Sequence, residues 1–172
     1  MTETSEAMVF VVDDDEAIRD ALVWLFQSRG VAARPFASAE DFHDAWRPGL
    51  GGALLLDIRM DGMSGIELFE RLGLLDPALP VIFLTGHGDV PMAVAMVKKG
   101  ARDFFEKPFN DNDLVDKVIE ALAWARERRE SAGAAAALPA RIETLTQRER
   151  QVMERVLAGK LNKVIAEELG IT

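Results

Sequence analysis

Ala53-Leu54-Leu55-Leu56-Asp57-Ile58-Arg59-Met60 is an apolar run that ends on a carboxylate. It follows Gly51-Gly52, is too short for an ordinary helix, and shows no alternation, which predicts a strand buried on both faces of a parallel sheet. Four more runs share its length and its polar or Gly-containing borders: Met8 to Val12, Val31 to Phe36 (weaker and mixed), Val81 to Leu84, and Asp103 to Phe105.

Between these runs the period changes to that of helices. Ile18, Ala21, Leu22, Leu25 and Phe26 form one stripe, and Ile66, Leu68, Phe69 and Leu72 another after Ser64. Pro91 near a start and Gly100 past an end predict a helix over 91–99 that buries Val94 and Val97. A fifth helix begins near Asn110 or Asp111, turns Leu114, Val118 and Leu122 inward, and continues into the charged stretch Arg126 to Glu130. Ser131 to Ala140, Ala-rich with Gly133 and Pro139, reads as a frayed helix or a hinge, and the domain boundary is placed there.

Polar residues follow the strands in a pattern. Asp13 and Asp14 come after the first run, Asp57 after the third, Thr85 after the fourth and Lys107 after the fifth. In an open α/β sheet the crevice beyond the strand C-termini is where ligands bind, so these five are expected to converge. A lone Asp after a strand commonly caps the next helix; five polar residues after four strands are more than caps require. Three crowded carboxylates repel one another unless a cation is present, and an oxygen-only cluster suits Mg²⁺. A carboxylate beside such an ion, with a Lys ammonium nearby, has the makings of a nucleophile toward phosphorus.

Val11-Val12-Asp13-Asp14-Asp15, Asp57-Ile58-Arg59-Met60 with Gly65, Thr85-Gly86-His87-Gly88-Asp89-Val90-Pro91-Met92-Ala93 and Lys107-Pro108-Phe109 resemble the receiver domains of FixJ-type two-component response regulators, over about residues 7–128. The resemblance implies a flavodoxin-like (βα)5 fold with a five-stranded parallel sheet in the order 2-1-3-4-5. It also implies that Asp57 accepts a phosphoryl group from a sensor histidine kinase. Asp14 and Asp57 would then ligate Mg²⁺, Asp13 would hold it through water, and the carbonyl of Arg59 would complete the protein ligands. By the same resemblance Lys107 contacts the phosphoryl group, Thr85 turns its hydroxyl toward it, and Phe104 swings inward as the second switch residue. Read from periodicity alone, Phe104 is a core aromatic. The Lys107–Pro108 bond resembles the family's cis peptide, and His87 reads as a structural or surface residue of a Gly-flanked turn. Asp61 departs from the family, which usually has Pro there; the loop loses a stiffening residue, and the carboxylate is read as facing solvent.

Leu145-Thr146-Gln147-Arg148-Glu149-Arg150-Gln151-Val152, Gly159-Lys160-Leu161-Asn162-Lys163-Val164-Ile165-Ala166 and Leu169-Gly170-Ile171-Thr172 resemble the opening of a LuxR-type helix-turn-helix. Asn162 or a neighbour is expected to cap a helix whose Ile165, Ala166 and Leu169 pack on Val152 and Val156, with Gly170 making the turn. The expected organisation is a receiver over 1–128, a helical or flexible linker over 129–143, and an incomplete DNA-binding domain over 144–172 without its recognition helix. On this reading the chain as given, taken as truncated, does not read DNA by itself, while the full-length regulator does, as a homodimer joined through its fourth helix, fifth strand and fifth helix. A plain helical hairpin is the other reading of the tail.

Composition narrows the function. The chain has 49% hydrophobic and 28% charged residues, within the globular range, and no Cys, which excludes disulfides and thiolate chemistry and fits a reducing compartment. No apolar run approaches the roughly 20 residues of a membrane span, and the polar start is unlike a signal peptide, so a cytoplasmic location is expected. Of the net charge of −9, residues 141–172 contribute +1 (six Lys/Arg, five Asp/Glu) and residues 1–140 contribute −10, so the body is no general nucleic-acid binder. Two rival functions are a Mg²⁺-dependent phosphatase with an aspartyl-phosphate intermediate and a phosphorelay receiver without DNA output. The first lacks the Asp-x-Asp-x-Thr arrangement after the first strand, and the second requires the tail to be something other than a DNA-binding segment. The expected regulator is not an enzyme, beyond catalysing its own phosphorylation and dephosphorylation.

Overall fold

The computed structural model describes residues 7–86 and 89–170, with backbone alone at 136–138, 140 and 141. The chain divides into two units, Met1–Arg129 and Glu130–Thr172.

The first unit runs β1 (Met8–Val12), α1 (Glu16–Ser28), β2 (Ala32–Phe36), α2 (Ala39–Ala45), β3 (Ala53–Asp57), α3 (Gly65–Leu75), β4 (Val81–Thr85), α4 (Val90–Lys98) and β5 (Asp103–Glu106), and α5 (Asp111–Glu143) begins in it. The strands form one parallel sheet in the order β2-β1-β3-β4-β5, as the family resemblance implies. β3 and β4 are buried along their whole length, the reason both read as unbroken apolar runs.

Successive side chains of a strand point to opposite faces, and the core divides accordingly. Phe10, Val12, Leu54, Leu56, Val81 and Phe83 meet Phe42 of α2, Leu68 and Leu72 of α3, and Ala93 and Met96 of α4. Val9, Val11, Leu55, Ile82 and Leu84 meet Leu22, Leu25 and Phe26 of α1 and Leu114, Val118 and Leu122 of α5. Each large side chain so buried contributes about 1.5–3 kcal/mol, which makes the central strands a stiff base for whatever their ends carry.

The helix starts are local chemistry. Asp15 accepts from the N–H groups of Ala17 and Ile18, Ser38 from that of Asp41, and Ser64 from that of Glu67. The fourth helix departs from its expected packing: Ala93 and Met96 are buried and Val97 is partly so, whereas Val94 is 38% exposed. Ala93, Met96 and Val97 share one stripe at helical spacing, and Val94 lies outside it.

Residues 131–140, read as frayed helix or hinge, lie within α5, which continues past Pro139 to Glu143. In the second unit α6 (Gln147–Leu157) starts on a capping box in which Thr146 and Glu149 bond each other's backbone N–H, and α7 (Asn162–Leu169) ends on Gly170 with φ at 63°. Arg148 donates to the Leu169 carbonyl, and Glu168 takes both Arg155 and Lys160. Of the two positions left open for the α7 cap, the neighbour Leu161 holds it, without a side-chain bond, and Asn162 is the first helical residue. One expectation is corrected here. Ile165 and Leu169 are buried, but Val156 is 54% exposed and does not take the expected place beneath them. No helix among the described residues is long and apolar enough to cross a membrane.

Candidate functional site

Parallel register brings the strand ends to one edge. Val12 lies level with both Phe36 and Leu56, Asp57 with Leu84, and Thr85 with Glu106. The ladder continues one step beyond the strands: the N–H of Asp13 donates to the Phe36 carbonyl at 3.3 Å, that of Ile58 to Leu84 at 3.2 Å, and that of Lys107 to Thr85 at 2.8 Å. Backbone bonds thus set the positions of Asp13, Asp57, Thr85 and Lys107.

The side chains meet there. Lys107 Nζ donates to Asp13 Oδ2 at 2.9 Å and stands 3.7 Å from Asp57 Oδ1, and the bond from Lys107 to Pro108 is cis. Asp13 is fully buried; its other oxygen accepts from the N–H of Asp15 at 2.9 Å, and Arg19 holds its carbonyl at 2.8 Å. Asp57 is 7% exposed and Asp14 is open to solvent. Asp13, Asp14 and Asp57 each offer an oxygen, all within 4.8 Å of one another.

One ammonium faces three carboxylates, and the electrostatics reflect that shortage. Burial, then the charge of Asp13, then that of Asp14 push the Asp57 carboxyl up to about 6, against the pull of Lys107 and a hydrogen bond from the N–H of Arg59. A hard divalent cation would relieve this crowding, and three oxygen donors at this spacing fit one such as Mg²⁺.

Thr85 is fully buried at the end of β4, and its hydroxyl donates to the Gly86 carbonyl at 3.2 Å. Phe104, level with Phe83, is partly buried against the α2–α4 side of the core. Asp61 is exposed. His87 lies outside the described residues.

Residues 9–119 match the response regulator receiver domain family, and residues 143–172 match the luxR family of bacterial regulatory proteins. The chain is a response regulator. It is 49% identical to the C4-dicarboxylate transport transcriptional regulatory protein DctR of Rhodobacter capsulatus over 95% of this chain and 84% of that one. With the transcriptional regulatory protein FixJ of Bradyrhizobium diazoefficiens it shares 43% identity over 98% of this chain and 82% of the relative. The structure of response regulator StyR superposes with a TM-score of 0.80 at 42% identity, covering 97% of this chain and 84% of that one. The regulator therefore joins a receiver domain to a LuxR-type DNA-binding segment, the organisation of transcriptional response regulators.

Two contacts of the regulator's site escape sequence reasoning. Arg59, two residues past Asp57, donates from Nε to both oxygens of Asp89 at 2.8 Å. That pairing, first as a direct hydrogen bond, holds Asp89 below and Arg59 above their usual ranges. Glu40, on α2, accepts the N–H of Met63 at 2.6 Å and so ties down the loop that follows the acceptor strand, where Asp61 stands in place of the stiffening Pro. Their partners lie 30 and 23 residues away, and no local signal marks either pair.

The Met63 hydrogen bond holds the Glu40 carboxyl below its ordinary value. A carboxyl lowered on folding stabilises above its unfolded pKa and loses that contribution as pH falls through the folded one. In Glu40→Gln, the Met63 amide is expected to exchange with solvent several-fold faster at pH 7 than in the parent, and the gap should close as acid protonates Glu40. Equal exchange at pH 7 would remove the clip.

Proposed function

We propose that Asp57 is the phospho-acceptor of this regulator and that its phosphorylation by a partner histidine kinase controls transcription through the LuxR-type segment. The observation that carries the reading is the meeting, at one sheet edge, of a nearly buried Asp57 with Asp13, Asp14, Thr85 and a Lys107 ammonium 3.7 Å away. Asp13, Asp14 and Asp57, with the carbonyl of Arg59, would hold Mg²⁺. Bound there, the ion would offset the charge of the carboxylates and of the incoming phosphoryl oxygens.

A carboxylate oxygen of Asp57 attacks phosphorus; the bond from phosphorus to the kinase's imidazole nitrogen breaks, and its electron pair stays on the nitrogen. Lys107 shifts toward the phosphoryl oxygens. The Thr85 hydroxyl leaves the Gly86 carbonyl for a phosphoryl oxygen, and Phe104 moves into the space that Thr85 gives up. The changed face of α4, β5 and α5 then pairs two copies, and the paired DNA-binding segments match a two-half-site operator.

Intact mass after incubation with acetyl phosphate tests the acceptor chemistry. The chain should gain the mass of one phosphoryl group when Mg²⁺ is present and none in EDTA. No gain with Mg²⁺, or an equal gain in EDTA, would overturn the reading.

A further inference from the structure

Helix α4 begins on Asp89, yet Asp89 makes no side-chain bond to the helix it caps. An Asp in that place ordinarily accepts from the N–H of the second or third helical residue. The second here is Pro91, which has no N–H, so Met92 is the natural donor. Both Asp89 oxygens are instead held at 2.8 Å by Arg59, whose guanidinium reaches in from solvent to a carboxylate that is almost fully buried.

The pair sits inside a continuous chain of contacts. Arg59 stands two residues past Asp57 in the loop that leaves the acceptor strand. Asp89 gives its N–H to the Gly86 carbonyl at 3.2 Å, and the same carbonyl holds the Thr85 hydroxyl at 3.2 Å. Acceptor and switch hydroxyl are thus joined through Arg59, Asp89 and Gly86. We propose that Arg59 and Asp89 are a latch, two positioning residues whose ion pair holds the resting place of Thr85 and of the start of α4, and that its release favours phosphoryl uptake. The proposal rests on Asp57 being the acceptor.

The latch has two definite states, because the Asp89 carboxylate has two partners within its means. Held by Arg59, it gives the Met92 N–H no side-chain bond. Released, a buried carboxylate needs a replacement donor, and the Met92 N–H at the positive end of α4 supplies one. Rotation about Asp89 disturbs the Gly86 carbonyl through the Asp89 N–H, which loosens the bond that keeps the Thr85 hydroxyl turned away.

Arg59→Gln removes the cation and keeps the Arg59 main chain, and Arg59→Lys restores a cation. Phosphoryl uptake from acetyl phosphate with Mg²⁺ is expected to be about five- to tenfold faster in Arg59→Gln than in the parent. Arg59→Lys should return most of the way. Exchange of the Met92 amide, measured without any phosphoryl donor, should slow about fivefold in Arg59→Gln as Asp89 turns to cap it. Loosening by general structural damage would speed that exchange instead. Uptake within twofold of the parent, slower uptake, or an unslowed Met92 amide would overturn the latch. A parent that takes up no phosphoryl group would overturn the acceptor reading, and the Met92 amide would still decide the latch.

Discussion

Asp57→Asn is expected to take up no phosphoryl group from acetyl phosphate and, in EDTA at neutral pH, to be more stable than the parent. The first effect follows from the loss of the attacking oxygen: an amide is no nucleophile toward phosphorus, and no other carboxylate lies both against Lys107 and at the end of β3. Asp13, the nearest rival, is buried with its oxygens committed to Lys107 and to the N–H of Asp15.

The second effect follows from linkage. The folded Asp57 carboxyl is held at about 6, above the ordinary range, chiefly by burial and by the charge of Asp13. A carboxyl raised on folding contributes stability that is fully present below its unfolded pKa and is lost as pH rises through the folded one. Between about pH 4 and pH 6 the parent gives up about 1–3 kcal/mol that the uncharged Asn keeps. Urea unfolding in EDTA should therefore show Asp57→Asn ahead by that order at pH 7.5 and level with the parent near pH 4. Added Mg²⁺ should narrow the gap at pH 7.5 by stabilising the parent. A gap of the same size at both pH values, or none at pH 7.5, would mean that the three carboxylates do not strain the fold.

Two glycines of one helix should respond to the same substitution in opposite directions. A Cβ on Gly65 would stand 2.1 Å from the carbonyl oxygen of Asp57, a backbone atom with no rotamer to retreat into. The Gly65 N–H also bonds the Ile58 carbonyl at 3.0 Å, so α3 starts in direct contact with the end of the acceptor strand. Gly65→Ala must push the two apart, at about 3 kcal/mol, and must displace Asp57 from Lys107 as it does so. Gly73, eight residues on in α3, has nothing within 4 Å of its hypothetical Cβ, and Gly73→Ala should gain about 0.5–1 kcal/mol from helix propensity. Urea midpoints of both variants, with the phosphoryl uptake of the first, check the contrast. A neutral Gly65→Ala would sink the claim that helix and acceptor strand are pressed together.

The strands were legible almost to the residue, because a strand buried on both faces must be apolar throughout and must end where polar residues begin. The read ends of β3 and β4 fell one residue short, at Leu56 and Leu84, since Asp57 and Thr85 are polar residues that still belong to the ladder. Helix α2 leaves no periodic mark in the sequence. It has seven residues and buries only Ala39 and Phe42, too little for a periodic signal, and its start rests on the Ser38 cap. The phase of α4 differs from the expected one at Val94 because a helix apolar on most sides offers more than one stripe, and packing across the sheet selects among them.

The sequence by itself determined that five short strands alternate with helices and that Asp13, Asp14, Asp57, Thr85 and Lys107 follow strand ends. Parallel strands share one edge, so residues that end different strands become neighbours whatever their separation along the chain. Only the tertiary structure decided which of these side chains touch: Lys107 bonds Asp13 more closely than Asp57. It alone also decided that Glu40 holds Met63 and that Arg59 draws Asp89 away from capping α4. Such pairs depend on the path of loops and on helix phase, and those are set by packing across the whole domain, not by any local pattern of residues.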